Sequence, residues 1–145
     1  MATDNQPNAE TGTPDPVRDS RVALRRMATY ILYLENHRAD KRKLLKSIAQ
    51  LMGVVAEKAR ELKHRNMEGL ALVAQELCAD LAARNRRPGR NTRTLLVLVN
   101  ESLWHFAEKD DAEPFATRVD DILIRIRRIM RHLQMTGETT FEVEE

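Results

Sequence analysis

Apolar residues recur at alternating three- and four-residue steps through most of this chain, and this spacing constrains the fold more than any other feature. The clearest run steps by four, three, four, three and four residues; it comprises Phe115, Val119, Ile122, Ile126, Ile129 and Leu133. Such steps place all members of a run on one side of an α-helix. Because a stripe this regular must be buried against other helices, the pattern predicts an all-α protein.

The same spacing divides residues 17–136 into successive helices. Asp15, Asp40 and Asn66 are predicted N-caps. We predict helices over about 16–35, 40–64, 66–86, 92–109 and 110–135, which form a four- or five-helix antiparallel bundle with short turns. The predicted core stripes of the first four are Val17, Leu24, Met27, Ile31 and Leu34; Leu45, Ile48, Met52, Val55, Ala59 and Leu62; Met67, Leu70, Ala74, Leu77 and Leu81; and Leu96, Val99, Leu103 and Phe106.

The boundary between the first two helices has an alternative. Heptad steps from Leu34 reach Arg38, Lys41 and then Leu45 in phase, and no Gly or Pro separates the two segments. A single helix over 16–64 would be roughly 70 Å long at about 1.5 Å per residue. A helix of that length would need a partner chain to cover its stripe.

Charge is distributed unevenly along the sequence. Residues 1–16 carry a net charge of −3 and residues 137–145 a net charge of −4, whereas residues 17–136 hold all 24 Lys and Arg and carry +9. We predict disordered acidic tails at 1–16 and 137–145 around a helical bundle domain at 17–136. A basic body with acidic ends is compatible with a polyanionic partner; the alternative is a solvated helical surface with locally paired charges.

Composition indicates the class of protein. The single cysteine, Cys78, excludes an intrachain disulfide, and the first ten residues lack the apolar stretch of a secretory signal. The longest apolar runs have five residues, as at Leu95–Val99, whereas a membrane span needs about 20. We therefore expect a soluble, cytoplasmic protein without a membrane span.

No motif has the strength of a catalytic or metal-site signature. Glu61 and His64 have the Glu-x-x-His spacing of di-metal bundles, but the other nearby pair, Glu101 and His105, is four residues apart. We interpret both pairs as solvated salt pairs and Cys78 as a small buried hydrophobe. The prediction is a protein that is not an enzyme and holds no metal or cofactor; an enzyme with catalytic residues scattered along the chain is the alternative.

Arginine clusters are the strongest candidate binding elements. Arginine outnumbers lysine 18 to 6, and its planar guanidinium can bind phosphate or carboxylate through two hydrogen bonds. One further basic group lies at Arg38–Lys46. The candidate binding residues are Arg84, Arg86, Arg87, Arg90 and Arg93 at the strongest break in the body of the chain, together with Arg125 and Arg128 in the last helix.

These patterns predict a non-catalytic helical interaction module that binds a partner protein or nucleic acid through a basic surface and forms a homodimer. The alternative is a DNA- or RNA-binding regulator that uses the segment Arg84–Arg93. The helices around this segment suggest a helix-turn-helix, although the connection exceeds the usual three or four residues or so. The last helix interleaves Ile and Arg over Ile124–Arg131; we predict a core helix, with binding to an acidic groove or a membrane surface as the alternative.

Overall fold

The computed structural model describes residues 15–36, 38–84, 87–108 and 113–136. Within these ranges the chain forms five α-helices and no strand, which confirms the predicted all-α class. The predicted tails lie outside the described residues, except that Asp15 and Pro16 already belong to the start of the first helix. The helices are α1 (Pro16–Tyr33), α2 (Lys41–Glu61), α3 (Arg65–Ala83), α4 (Arg90–Glu108) and α5 (Glu113–Thr136).

Side-chain caps fix the start of the first three helices. Asp15 and Asp40 each accept a hydrogen bond at 3.1 Å from a backbone N–H in the first turn of their helix, as predicted. The prediction that Asn66 caps the third helix is wrong. His64 takes that position instead, because its Nδ1 accepts a hydrogen bond from the Met67 N–H at 3.3 Å.

A tight turn separates α1 from α2, so the alternative prediction of a single helix over 16–64 is wrong. The Oδ1 atom of Asn36 accepts a hydrogen bond from the Arg38 N–H at 2.9 Å, and the Asn36 carbonyl accepts one from the Ala39 N–H at 3.1 Å. Asn and Asp side chains that bond to nearby backbone offer the chain an alternative to helical hydrogen bonds. The bonds of Asn36 therefore stabilise the turn that follows α1, and Asp40 caps the start of α2.

Four helices form a closed ring, and the fifth packs against one side of it. α1 contacts α2 and α4, α3 contacts the same two helices, and α5 contacts α3 and α4. α1 and α4 run antiparallel, because Leu24 lies beside Asn100 while Glu35 shares a groove with Arg90. The predicted antiparallel bundle is therefore confirmed, with five helices.

The predicted stripes supply most of the core. Among the stripe residues whose burial the structure describes, three depart from the prediction: Leu62 lies just beyond the end of α2 and is 37% exposed, and Val17 and Ile129 are only half-buried. In α5, Ile122, Ile126 and Leu133 are buried as predicted, and Ile129 is half-buried. The largest fully buried side chains are Leu24, Met27, Leu34, Leu45, Ile48, Met52, Met67, Leu70, Leu77, Leu81, Leu96 and Leu103.

Candidate functional site

The antiparallel fold gathers positive charge at one end of the bundle, which we call the basic end. Its segments hold 13 Lys and Arg against 4 Asp and Glu, a net charge of +9. The segments of the opposite end hold 9 Lys and Arg against 10 Asp and Glu, a net charge of −1. The basic end comprises residues 27–36, 38–51, 75–84, 87–99 and 125–136, and the opposite end comprises 15–26, 52–74, 100–108 and 113–124.

Two grooves flank the first half of α4, and Thr94 lines both of them. The α1–α4 groove has a volume of about 490 Å³ and is lined in part by Arg90 and Arg93. The α4–α5 groove has a volume of about 370 Å³ and is lined in part by Arg125 and Arg128. Four of the seven predicted binding residues thus line the two grooves beside the first half of α4.

Lys41 adds a further cation to this region. Burial, followed by the positive charges of Arg87 and Arg93, holds the pKa of Lys41 below its usual value. Hydrogen bonds to backbone carbonyls position two of these side chains: Lys41 Nζ donates to Asn36, and Arg93 Nη1 donates to Pro88 at 3.1 Å. Because the three cations raise one another's electrostatic energy, an anionic group placed among them is favoured.

Not every predicted arginine contributes equally to this surface. Arg84 Nε donates to Asp80 Oδ1 at 3.1 Å, and both side chains are largely covered, so Arg84 is the least suited to contact a partner. Arg125 Nε lies 3.1 Å from Asp121 Oδ2, but both side chains are more than half exposed. An exposed pair contributes only about 0–1 kcal/mol, so Arg125 can exchange its partner at little cost. Arg86 lies outside the described residues.

The packing of α4 differs from that of a DNA-recognition helix. Such a helix presents one face to the major groove of DNA. α4 contacts α1, α3 and α5, and Leu95, Leu96 and Val99 are buried in these contacts. Its exposed face in the first half carries Arg90, Asn91, Thr94 and Val97. This arrangement suits docking against the grooves beside α4 better than insertion of α4 into DNA.

The histidine with metal-ligand spacing has a structural role. His64 is half-buried and caps α3, and its ring lies edge-on to Phe106 with the ring centroids 4.8 Å apart. Among the residues that the structure describes, no three His, Cys, Asp or Glu side chains are grouped as a metal site requires. The described helices also include none that is long and apolar enough to cross a membrane.

Sequence reasoning did not single out Lys41 as a binding residue. It lies in the first turn of α2, and only the fold brings it close to Arg87 and Arg93. Ammonium and guanidinium groups in such an arrangement bind carboxylates or phosphates. No protein-family model, curated protein or solved structure matches the chain.

Proposed function

We propose that the protein is a non-catalytic interaction module that binds an acidic surface of a partner protein through its basic end. The segregation of charge, +9 against −1 between the two ends of the bundle, is the observation that supports this proposal. Complementary charge accelerates association, orients the partner and disfavours partners of the wrong sign. The proposed contact residues are Arg87, Arg90, Arg93, Arg125 and Arg128, with Lys41 added.

The apolar parts of the α1–α4 groove favour a protein partner. Ile31 and Leu32 line it together with Val97, and Leu32 is 66% exposed. Arg90 and Arg93 lie at the same groove. Apolar contacts bordered by arginine are typical of protein interfaces, where they bind a segment that combines apolar and acidic residues.

A pair of charge-reversal variants tests the proposal, with poly-L-glutamate as the probe. The test variant carries Arg87→Glu and Arg90→Glu, two exposed residues of the basic end. The control carries Arg26→Glu and Arg65→Glu, two exposed residues of the opposite end, and has the same net charge. We expect the test variant to bind the probe at least about tenfold more weakly and the control to bind it nearly as tightly as the natural chain. Equal loss in both variants would show that binding follows net charge alone and would refute the proposal.

A nucleic-acid-binding regulator is the second candidate function. It is supported by the exposed guanidinium groups of Arg87 and Arg90 and by Lys41, which lies close to Arg87, since these groups can bind backbone phosphates. Generic duplex DNA tests it in a salt titration. A steep loss of affinity with added salt would support this candidate, and no binding at low salt would remove it.

Formation of a homodimer and a cytoplasmic location stay predictions. The apolar stripes are buried against other helices of the same chain, so a dimer would have to use other apolar residues. Leu32 and Tyr33 are large, exposed and adjacent at the end of α1, which makes them the best candidates for a dimer contact. Light scattering on the natural chain and on a Leu32→Ser variant would test this prediction.

A further inference from the structure

The α4–α5 groove has an apolar floor and basic walls. Leu95 is buried beneath it, Leu98 and Ile129 are half-buried, and the exposed residues Arg125 and Arg128 border it. Its lining residues, all within the described ranges, include no Asp or Glu. The α1–α4 groove differs in this respect, because its lining includes Glu35 and Glu101 beside the arginines. The α4–α5 groove therefore favours a ligand with apolar and acidic side chains.

The nine residues that follow α5 have this chemistry. Residues 137–145 read Gly-Glu-Thr-Thr-Phe-Glu-Val-Glu-Glu, with a net charge of −4. Phe141 and Val143 are two positions apart, and Glu142 and Glu144 alternate with them. Because successive side chains of an extended chain point to opposite sides, an extended segment would present Phe141 and Val143 on one face and Glu138, Glu142 and Glu144 on the other.

The length and starting point of this segment match the groove. α5 ends at Thr136 in the basic end, and Ile129 and Arg125 lie about 10 Å and 16 Å back along the helix at 1.5 Å per residue or so. Nine extended residues span about 30 Å at roughly 3.3 Å each. Gly137 is suited to the reversal that this path needs, because glycine adopts the left-handed conformation that commonly follows a helix.

We propose that residues 137–145 occupy the α4–α5 groove in an extended conformation. Phe141 and Val143 then contact the floor formed by Leu98 and Ile129. Glu142 and Glu144 face away from the floor and lie at the rim of the groove, where the exposed side chains of Arg125 and Arg128 pair with them. Occupation of the groove goes beyond the proposed function, since it needs no partner. Only its consequence, competition between this segment and an acidic partner for the basic end, rests on that function.

A spin label on the segment tests the contact in the full chain. The variant Glu145→Cys carries the label, and Cys78 does not compete for the reagent because it is fully buried and burial raises its pKa to about 12. We expect the amide NMR signals of Leu98 and Ile129 to lose most of their intensity, while those around the buried Ala59 of α2 keep theirs. Equal loss over the whole bundle, or none at the groove, would refute the proposal.

Three further substitutions in the labelled chain identify the contacts. Phe141→Ser removes the aromatic side chain that contacts the floor, and Arg128→Glu reverses the charge of one wall. Each substitution should therefore restore the NMR signals of Leu98 and Ile129. Lys46→Glu makes the same charge change at an exposed residue of the basic end outside the groove, and should leave the broadening intact. Broadening that survives Phe141→Ser and Arg128→Glu would overturn the assignment.

The outcomes separate this inference from the proposed function. Broadening at the groove without any binding of poly-L-glutamate would refute the proposed function alone. Binding of poly-L-glutamate without broadening would refute the inference alone. If the proposed function and the occupation of the groove both hold, Phe141→Ser should tighten poly-L-glutamate binding several-fold, because the probe no longer has to displace the segment. Unchanged affinity would refute the competition between them.

Discussion

Asn100 in α4 donates a hydrogen bond from Nδ2 to the backbone carbonyl of Leu24 in α1, over a distance of 3.0 Å. The two residues are 76 positions apart in the sequence, and the bond joins the helices that close the ring of four. Asn100 is half-buried, so loss of its amide removes a hydrogen bond from a partly shielded position.

Asn100→Ala should lower the free energy of unfolding by about 1–2 kcal/mol, because a hydrogen bond is lost between two shielded groups. Chemical denaturation followed by circular dichroism measures this change. Gln50→Ala, at an exposed position of α2, is the matched control and should change the free energy by no more than about 0.5 kcal/mol. Equal effects would mean that the hydrogen bond contributes nothing.

Gly69→Ala should stabilise the protein by about 0.5–1 kcal/mol. A Cβ atom at Gly69 in α3 would meet nothing within 4 Å, and alanine reduces the backbone entropy lost on folding. Gly53→Ala in α2 should gain less, because its Cβ would lie 2.7 Å from Nε2 of Gln75, whose flexible end must then move. Melting temperatures of the two variants test the order, and a larger gain at Gly53 would contradict it.

Leu70→Ala should lower the free energy of unfolding by about 2–5 kcal/mol, since Leu70 is fully buried and its truncation leaves a cavity. Leu72→Ala, two residues along the same helix, serves as the control because Leu72 is 41% exposed. Leu72→Ala should lower the free energy of unfolding by about 1 kcal/mol or less. Urea denaturation of both variants measures the difference. Similar losses of stability would mean that the assignment of Leu70 to the buried face of α3 and of Leu72 to its exposed face is wrong.

Cys78 should make the protein less stable as the solution becomes alkaline. Burial raises the pKa of its thiol from 9.0 to about 12, so between these values the unfolded chain has released the thiol proton and the folded chain has kept it. The unfolded state then binds fewer protons, and the free energy of unfolding falls by about 1.4 kcal/mol per pH unit from this group.

The variant Cys78→Ala isolates this effect, since other groups titrate equally in both chains. Its deficit in stability relative to the natural chain should be largest near pH 8 or so and should shrink as the pH rises towards about 10. Urea denaturation across this range measures the deficit. A deficit that stays constant with pH would show that the thiol is not shielded in the folded protein.

Helix positions and core faces followed closely from the sequence, as α3 illustrates. Met67, Leu70 and Leu77 are among its five predicted stripe residues, all of which are buried. The start of this helix was mispredicted, because Asn66 has the better capping propensity but His64 follows a residue, Lys63, with a positive φ of 58°. That turn geometry, which depends on how α2 ends, decides which side chain reaches the free backbone N–H groups.

For the arginines, too, the sequence predicts local contacts and the fold decides the distant ones. Arg84 could have been assigned to Asp80 from the sequence, because residues four apart on a helix are neighbours. The separation of Arg90 from Arg125 into two grooves on either side of α4 could not. It depends on which helices pack against α4, and those helices lie far from it along the chain.

The sequence by itself determined that the chain forms helices and which side of each helix is buried, because the 3.6-residue period acts within a few residues. Only the tertiary structure decided that Lys41 meets Arg87 and Arg93, and that one end of the bundle carries most of the positive charge. The physical reason is the antiparallel order of the helices. It brings alternate helix ends together in space, and no local pattern specifies which ends those are.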